Sequence, residues 1–376
     1  MTLDADALLA GPRGRRLCLA VAWATADLDP GQDVQPLRTA LFHAAYDLDP
    51  GAGTSRVIMS TGGPVDPADL PHPSPAEVAR LLDAVVLADL DDRTLLRAVA
   101  HAVDEARYWQ EPDGEDVLAA TPPVRAALRR VAEHVAAAPA AAWWSAPLAR
   151  DDQWAVDFPS PTPTPTPAPP VVGDVRTRLA RWRAGEVADE ERARADRPTD
   201  VRARYGGSWW SVPAFTRLVT TTRGLGTRGP AGLWWVEDGF GWTDAQVRPV
   251  PVPADARVLE VDGPDAWADL CRRYPFEVTA GRRHDWYRVT GRDGRWCLPD
   301  WSRVAQDVDA VHVTVAGYLA TAGRAVPVQG DVATVLAGWD PDRTYWLTDV
   351  ADDGPPRQWE QDRDDVGEPV WRPATP

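Results

Sequence analysis

The chain has no lysine and no asparagine, and Ile58 is its only isoleucine. The lack of lysine excludes the phosphate-gripping lysine of a P-loop and the strand lysine of a protein kinase. It also excludes the Schiff-base lysine that pyridoxal phosphate needs. The lack of asparagine removes N-glycosylation acceptors and a Cys-His-Asn protease triad. Cysteine is scarce: Cys18, Cys271 and Cys297 are odd in number, far apart and form no Cys-x-x-Cys pair. That pattern predicts free thiols in a reducing compartment and no cysteine-based zinc site. No apolar run is long enough to cross a bilayer. The start, Met1-Thr2-Leu3-Asp4, lacks the basic-then-apolar pattern of a secretory signal. The expectation is a soluble, cytoplasmic protein.

Arg, Ala, Asp, Pro and Val are abundant instead, the usage of a GC-rich bacterial genome. The 376 residues are enough for two domains of ordinary size. A net charge of -16 argues against nonspecific attachment to nucleic acid or anionic lipid. The local cluster of Arg13, Arg15 and Arg16 reads as solvated charge ahead of an apolar segment. Neither a Gly-x-Ser-x-Gly elbow nor a His-Glu-x-x-His helix occurs. No spacing of His and acidic residues predicts a metal site, and His101 and His134 read as polar-edge residues of amphipathic helices.

Four domain-level segments follow from the texture of the sequence. Residues 1–156 read as a mainly α-helical bundle. Ser74-Pro75-Ala76-Glu77 is a capping box, and apolar stripes recur at Val78/Leu82, Leu95/Leu96/Val99 and Leu128/Val131/Val135. Residues 15–27 fit helix or buried strand equally. Residues 157–173 form a Pro/Thr-rich linker, since near-alternating proline at 159–170 favours polyproline II. Residues 174–350 read as a Trp-rich α+β domain with short mixed or antiparallel strands, so the whole is α+β. Its expected strands are 217–222, 233–236, 257–261, 310–315 and 344–347, with helices at 264–274 and 300–307. Residues 351–376 read as an acidic disordered tail.

The functional candidates all lie after the linker. Gly224-Leu225-Gly226-Thr227-Arg228-Gly229 matches Gly-x-Gly-x-x-Gly, but a second strand-like run follows it instead of a helix, so it predicts a hairpin turn. Strict alternation at 310–315 puts Val311, Val313 and Val315 on the core face, leaving His312 and Thr314 on the other as ligand-facing candidates. His284 and Tyr287 lie in a strand-like stretch. Thirteen of the 19 tryptophans lie beyond residue 200. They can fill a core poor in Ile and Phe, or form a stacking surface. If Trp209/Trp210 and Trp234/Trp235 lie in strands, each doublet exposes one ring, which makes them binding candidates.

The run from Arg257 to Leu347 carries Val-Leu-Glu-Val-Asp-Gly-Pro-Asp-Ala-Trp, Pro-Asp-Trp-Ser-Arg-Val-Ala, Asp-Ala-Val-His-Val-Thr and Gly-Trp-Asp-Pro-Asp-Arg-Thr-Tyr-Trp-Leu. It looks like a module shared by proteins of GC-rich bacteria, a resemblance that brings no activity with it. The leading expectation is a binding or regulatory protein whose Trp-rich domain engages a protein partner or a small-molecule ligand, with no cofactor. The alternative is a transferase of the ADP-ribosyl type. Such enzymes resemble this domain in being compact α+β folds of short strands, and the resemblance implies NAD held by an Arg or His with a carboxylate on the ribose. Arg223, His312 and Asp342 are then the catalytic candidates. The chain departs from that family in having Asp where Glu is usual and in lacking its Ser-Thr-Ser and Glu-x-Glu patterns.

Overall fold

The computed structural model describes residues 3–28, 33–52, 70–159, 173–352, 354–365 and 367–374. All of the Pro/Thr-rich run except Pro159 therefore lies outside the described residues. The chain divides into two compact units, one of Thr2–Ala102 and Gln110–Trp143, the other of Val103–Trp109 and Trp144–Pro376.

The first unit is built from helices: α1 (Ala5–Ala10), α2 (Pro12–Leu28), α3 (Gln35–Leu48), α4 (Pro75–Asp83), most of α5 (Asp92–Asp104), α6 (Gly114–Ala120) and α7 (Pro122–Ala137). The ambiguous stretch 15–27 is helical. Pro12 opens it, and its alanines and leucines pay little entropy in a helix. The Ser74 capping box forms as expected, with Glu77 N–H on Ser74 Oγ and Ser74 N–H on Glu77 Oε2 at 2.8 Å. The arginine cluster is not solvated charge: Arg13 and Arg16 are 3% and 2% exposed. Arg13 pairs with Asp116 and donates to the Ala102 carbonyl at 2.8 Å, while Arg16 faces Asp113, Glu115 and Asp116. A buried guanidinium persists only with such partners.

The second unit contains β1 (Gln153–Asp157), α8 (Val175–Asp196), β2 (Thr220–Arg223), β3 (Asp244–Pro249), β4 (Val258–Val261), α9 (Pro264–Arg273), β5 (Pro275–Glu277) and α10 (Thr279–Thr290). It continues with β6 (Arg295–Pro299), α11 (Trp301–Asp307), β7 (Ala310–Val313), α12 (Val315–Thr321), β8 (Val326–Gln329), β9 (Val332–Thr334), β10 (Arg343–Trp346), β11 (Arg357–Arg363) and β12 (Pro369–Pro373). Eight strands form one sheet in the order β12-β11-β3-β1-β2-β10-β7-β4, and four form a second, β5-β6-β9-β8. In the larger sheet only β4 and β7 pair in parallel. The fold is α+β with mixed sheets. Among the described residues no helix is long and apolar enough to cross a membrane.

Tryptophan is the core filler. Trp267, Trp301 and Trp339 meet with ring centroids 5.6 to 6.2 Å apart, and Trp286 meets Trp296 edge-on at 5.3 Å. All five are fully buried.

Four local expectations need correction. The stretch around His284 and Tyr287 is the helix α10, because Glu190 of α8 accepts from the N–H groups of Ala280 and Gly281 at 2.9 and 2.7 Å. A helix start capped from 90 residues away leaves no local sequence signal. Residues 233–236 are not a strand; Ala231–Leu233 forms a 3-10 turn whose Leu233 packs against Ala245 and Val247 of β3. The strand at 310 stops at Val313, where Thr314 caps α12 by accepting from Gly317 N–H at 2.9 Å. Arg357–Arg363 and Pro369–Pro373 are strands, not disordered tail: β11 pairs with β3 and β12, and Trp359 and Trp371 bury against Leu233, Ala245 and Val247. Two tryptophans anchor a segment whose charge alone suggests disorder. The domain limit moves as well, since β1 precedes the linker in sequence but lies between β3 and β2 in the sheet.

The Gly-x-Gly-x-x-Gly run is a tight turn, closed by a bridge between Gly224 and Pro230. Gly229 has φ +75, and a Cβ there would lie 2.7 Å from the Trp359 ring. The glycine serves backbone conformation and packing.

Candidate functional site

In the larger sheet β2, β7 and β4 run in one direction and β10 runs against them. Their register puts Glu260 beside His312, His312 beside Thr344, and Thr344 beside Thr221. Cα partners share a face, so Glu260 and His312 sit side by side at the C-terminal end of the parallel pair, where ligands bind in open α/β sheets. Asp342, in the turn before β10, has φ +56, a left-handed conformation that is strained for a residue with a side chain. Arg223 ends β2.

These four side chains form one continuous chain of hydrogen bonds. Arg223 Nε donates to Asp342 Oδ1 at 2.6 Å, and its backbone N–H donates to Oδ2 at 2.9 Å. His312 lies between Asp342 Oδ1, at 3.4 Å from Nε2, and Glu260 Oε2, at 2.5 Å from Nδ1. Glu260 Oε1 accepts the Leu148 N–H at 3.1 Å, and Arg223 also reaches the Pro147 carbonyl at 3.2 Å. Burial alone would lower the His312 pKa, but hydrogen bonds to Asp342 and Glu260 outweigh it and raise the pKa to about 9. Burial would raise Asp342, but the bond to His312 and the charges of His312 and Arg223 hold it below the usual carboxylate range. The ring is thus an imidazolium between two carboxylates, with Arg223 as the second cation, and the quartet is neutral.

The same turn holds a second polar network. Asp340 accepts the Glu237 N–H at 2.7 Å and pairs with Arg343 at 2.6 Å; Tyr108 donates to Glu237. Burial pushes Asp340 up and the Tyr345 hydroxyl up to about 12.

The three catalytic candidates Arg223, His312 and Asp342 therefore meet in space. The arrangement leaves little for a substrate: both His312 nitrogens and both Asp342 oxygens are used within the protein. Carboxylates and ring are at hydrogen-bonding distance, and among the described residues no group of three or more His, Cys, Asp or Glu is arranged to hold a metal. Glu260 is the member the sequence reading missed. Its signal was a single charge inside the Val-Leu-Glu-Val strand, on the face opposite Leu259 and Val261.

The binding candidates scatter. Trp209 and Trp235 are core residues, 7% and 1% exposed. Trp234 is half-buried, with its Nε1 on the Arg228 carbonyl at 2.9 Å, and packs in the cluster of Trp359 and Trp371. Thr314 is a buried helix cap. His284 is buried in α10, and Tyr287, half-buried, follows one turn later. Neither tryptophan doublet lies in a strand, so the alternation argument for exposure does not apply to them. Trp210 is half-buried and borders a surface the sequence reading did not single out. Phe215 is 84% exposed and meets Trp210 edge-on at 5.1 Å. Phe215 and Arg217 have φ +62 and +52. The loop is held in that conformation: Arg178 donates to the Arg217 carbonyl at 2.6 Å, and Thr216 Oγ1 to the Pro213 carbonyl at 2.5 Å. Ser211 is tied to Ala337 through both backbone and side chain.

The chain matches no family model, no curated protein and no solved structure.

Proposed function

We propose that the protein is a cytoplasmic binding or regulatory module that engages a protein partner through the Phe215 loop of its Trp-rich unit. The observation that carries this reading is Phe215 itself. A bulky side chain in left-handed backbone costs of order 1–3 kcal/mol, and exposing a phenyl ring to water gains nothing in the free protein. Strain held in place by surrounding hydrogen bonds clusters at binding and switch sites. Trp210 backs the ring, giving an aromatic anchor of the kind that dominates interface energetics.

The rival reading, an NAD-using transferase, draws support from the meeting of Arg223 with Asp342. Against it, Asp342 spends both oxygens on Arg223 and His312, so contact with a ribose would require the pair to part. The internally saturated quartet favours a structural role and hence the binding reading, which needs no cofactor.

The test is partner capture by the intact chain in parallel with a Phe215→Ser variant. Species held by the parent and lost with the variant, at equal melting temperature, support the proposal. Identical captured species, or none with either protein, count against it. Turnover of NAD by the parent that is abolished in Asp342→Ala would favour the rival.

A further inference from the structure

Two arginines of α10 are neutralised locally: Arg282 pairs with Glu186 at 2.9 Å, and Arg288 pairs with Asp285. Three neighbours are not. Among the described residues no carboxylate lies within ion-pair distance of Arg197, Arg202 or Arg283. Arg197 donates to the Gly281 carbonyl at 2.6 Å and lies 4.9 Å over the Tyr205 ring. Arg283 reaches the Arg197 carbonyl at 3.4 Å, and its Nε has no partner. Arg202 lies 5.5 Å over the Tyr287 ring. Asp200, in the same loop, turns its carboxylate to the Arg202 N–H at 3.0 Å.

His284 lies among these groups, 1% exposed and 5.5 Å from Tyr205 ring to ring. Neither ring nitrogen makes a hydrogen bond; the Asp200 backbone faces the ring without hydrogen-bond geometry. A buried imidazole with both nitrogens unpaired carries a desolvation penalty, and each such group in a native fold calls for an explanation. Burial, then the charges of Arg283 and Arg197, hold the ring below its usual pKa, so it is neutral at pH 7.

We propose that Arg197, Arg202 and Arg283, beside Tyr205, Tyr287 and His284, bind the phosphate group of a small phosphorylated ligand. Planar guanidinium forks match phosphate oxygens, and three cations without a direct ion-pair partner suit a group carrying close to two negative charges better than a single carboxylate. Tyr205 is partly exposed, which gives the cluster a solvent-facing side. The net charge of -16 disfavours a polyanion, so the occupant is small.

The experiment is calorimetric titration of the intact chain at low salt with inorganic phosphate, with AMP, and with adenosine as control. AMP and phosphate are expected to bind and adenosine not, with affinity falling as sodium chloride screens the charges. Tighter binding of AMP assigns a monoester as the occupant; equal affinity assigns phosphate alone. Arg202→Gln, at an exposed position, and Arg283→Gln, at a half-buried one, are each expected to weaken binding about tenfold or more, the first at unchanged melting temperature. No binding of either phosphate at about 10 mM, well above the range of a weak specific site, would overturn the proposal. So would affinity unchanged in both variants.

Discussion

Asp342 and Arg223, 119 positions apart in sequence, are joined twice, through the Arg223 guanidinium and through its backbone N–H, so that one carboxylate fixes both the side chain and the strand end. Asp342 holds this geometry at the cost of left-handed backbone. The pair ties β2 to the turn before β10, and His312 extends the tie to β7 and β4.

That tie predicts a strong response to Asp342→Ala. Removing Asp342 leaves the Arg223 guanidinium without its carboxylate and His312 with Glu260 alone, and breaking a buried pair in this way costs about 3–5 kcal/mol. Asp342→Asn keeps an acceptor oxygen and tolerates positive φ better, so it should cost less. Chemical denaturation of the two variants checks the order.

His312 predicts a pH dependence with a definite sign. Its pKa is raised from 6.5 to about 9 on folding, so its stabilisation is full below about pH 6.5 and is lost as pH rises through about 9. The loss is on the order of 3 kcal/mol, since each tenfold change in proton affinity is worth about 1.4 kcal/mol. Asp342, held low, acts oppositely: its contribution is present above the ordinary Asp pKa and is lost as the solution is acidified below it. Melting temperature should therefore fall from pH 6.5 to 9, and His312→Gln should flatten that limb. A parent profile that stays level or rises over this range contradicts the assignment.

The glycine turn separates packing from conformation. Gly226 has φ +60 with open space around its missing Cβ, whereas Gly229 has φ +75 and lies against Trp359. Gly226→Ala should cost about 1 kcal/mol for the left-handed backbone alone. Gly229→Ala should cost clearly more, because the ring must also move. Equal losses in thermal unfolding would refute the packing account.

Deleting residues 354–376 removes β11 and β12 and strips Trp359 and Trp371 from Ala245 and Val247. Loss of even one such buried tryptophan costs about 3–5 kcal/mol. Truncation is therefore expected to lower the melting temperature of the Trp-rich unit strongly, where removal of a disordered tail would leave it unchanged.

Much of this architecture was legible where the signal was local. The Ser74 box, the stripes of α4, α5 and α7, and the starts of α9 and α11 are set by residues within one or two turns. Three of the errors share one cause, information held far away in sequence, whereas the early end of β7 at Val313 follows from the local Thr314 cap. Glu190 starts α10, β3 recruits the chain end through Trp359, and the acidic start of α6 draws in Arg13 and Arg16. Arg223, His312 and Asp342 were legible as chemistry. That they neutralise one another with Glu260 depended on strand order, which no local pattern encodes. Phe215 left no trace because its meaning lies in exposure and backbone angle, not residue type.

The most direct measurement of the central claim compares Phe215→Gly with the parent for stability and for partner capture together. Glycine relieves left-handed strain and removes an exposed ring, so the account predicts a melting temperature equal to or above the parent's, with capture lost. A lower melting temperature with capture intact would make Phe215 a structural residue and contradict the binding reading.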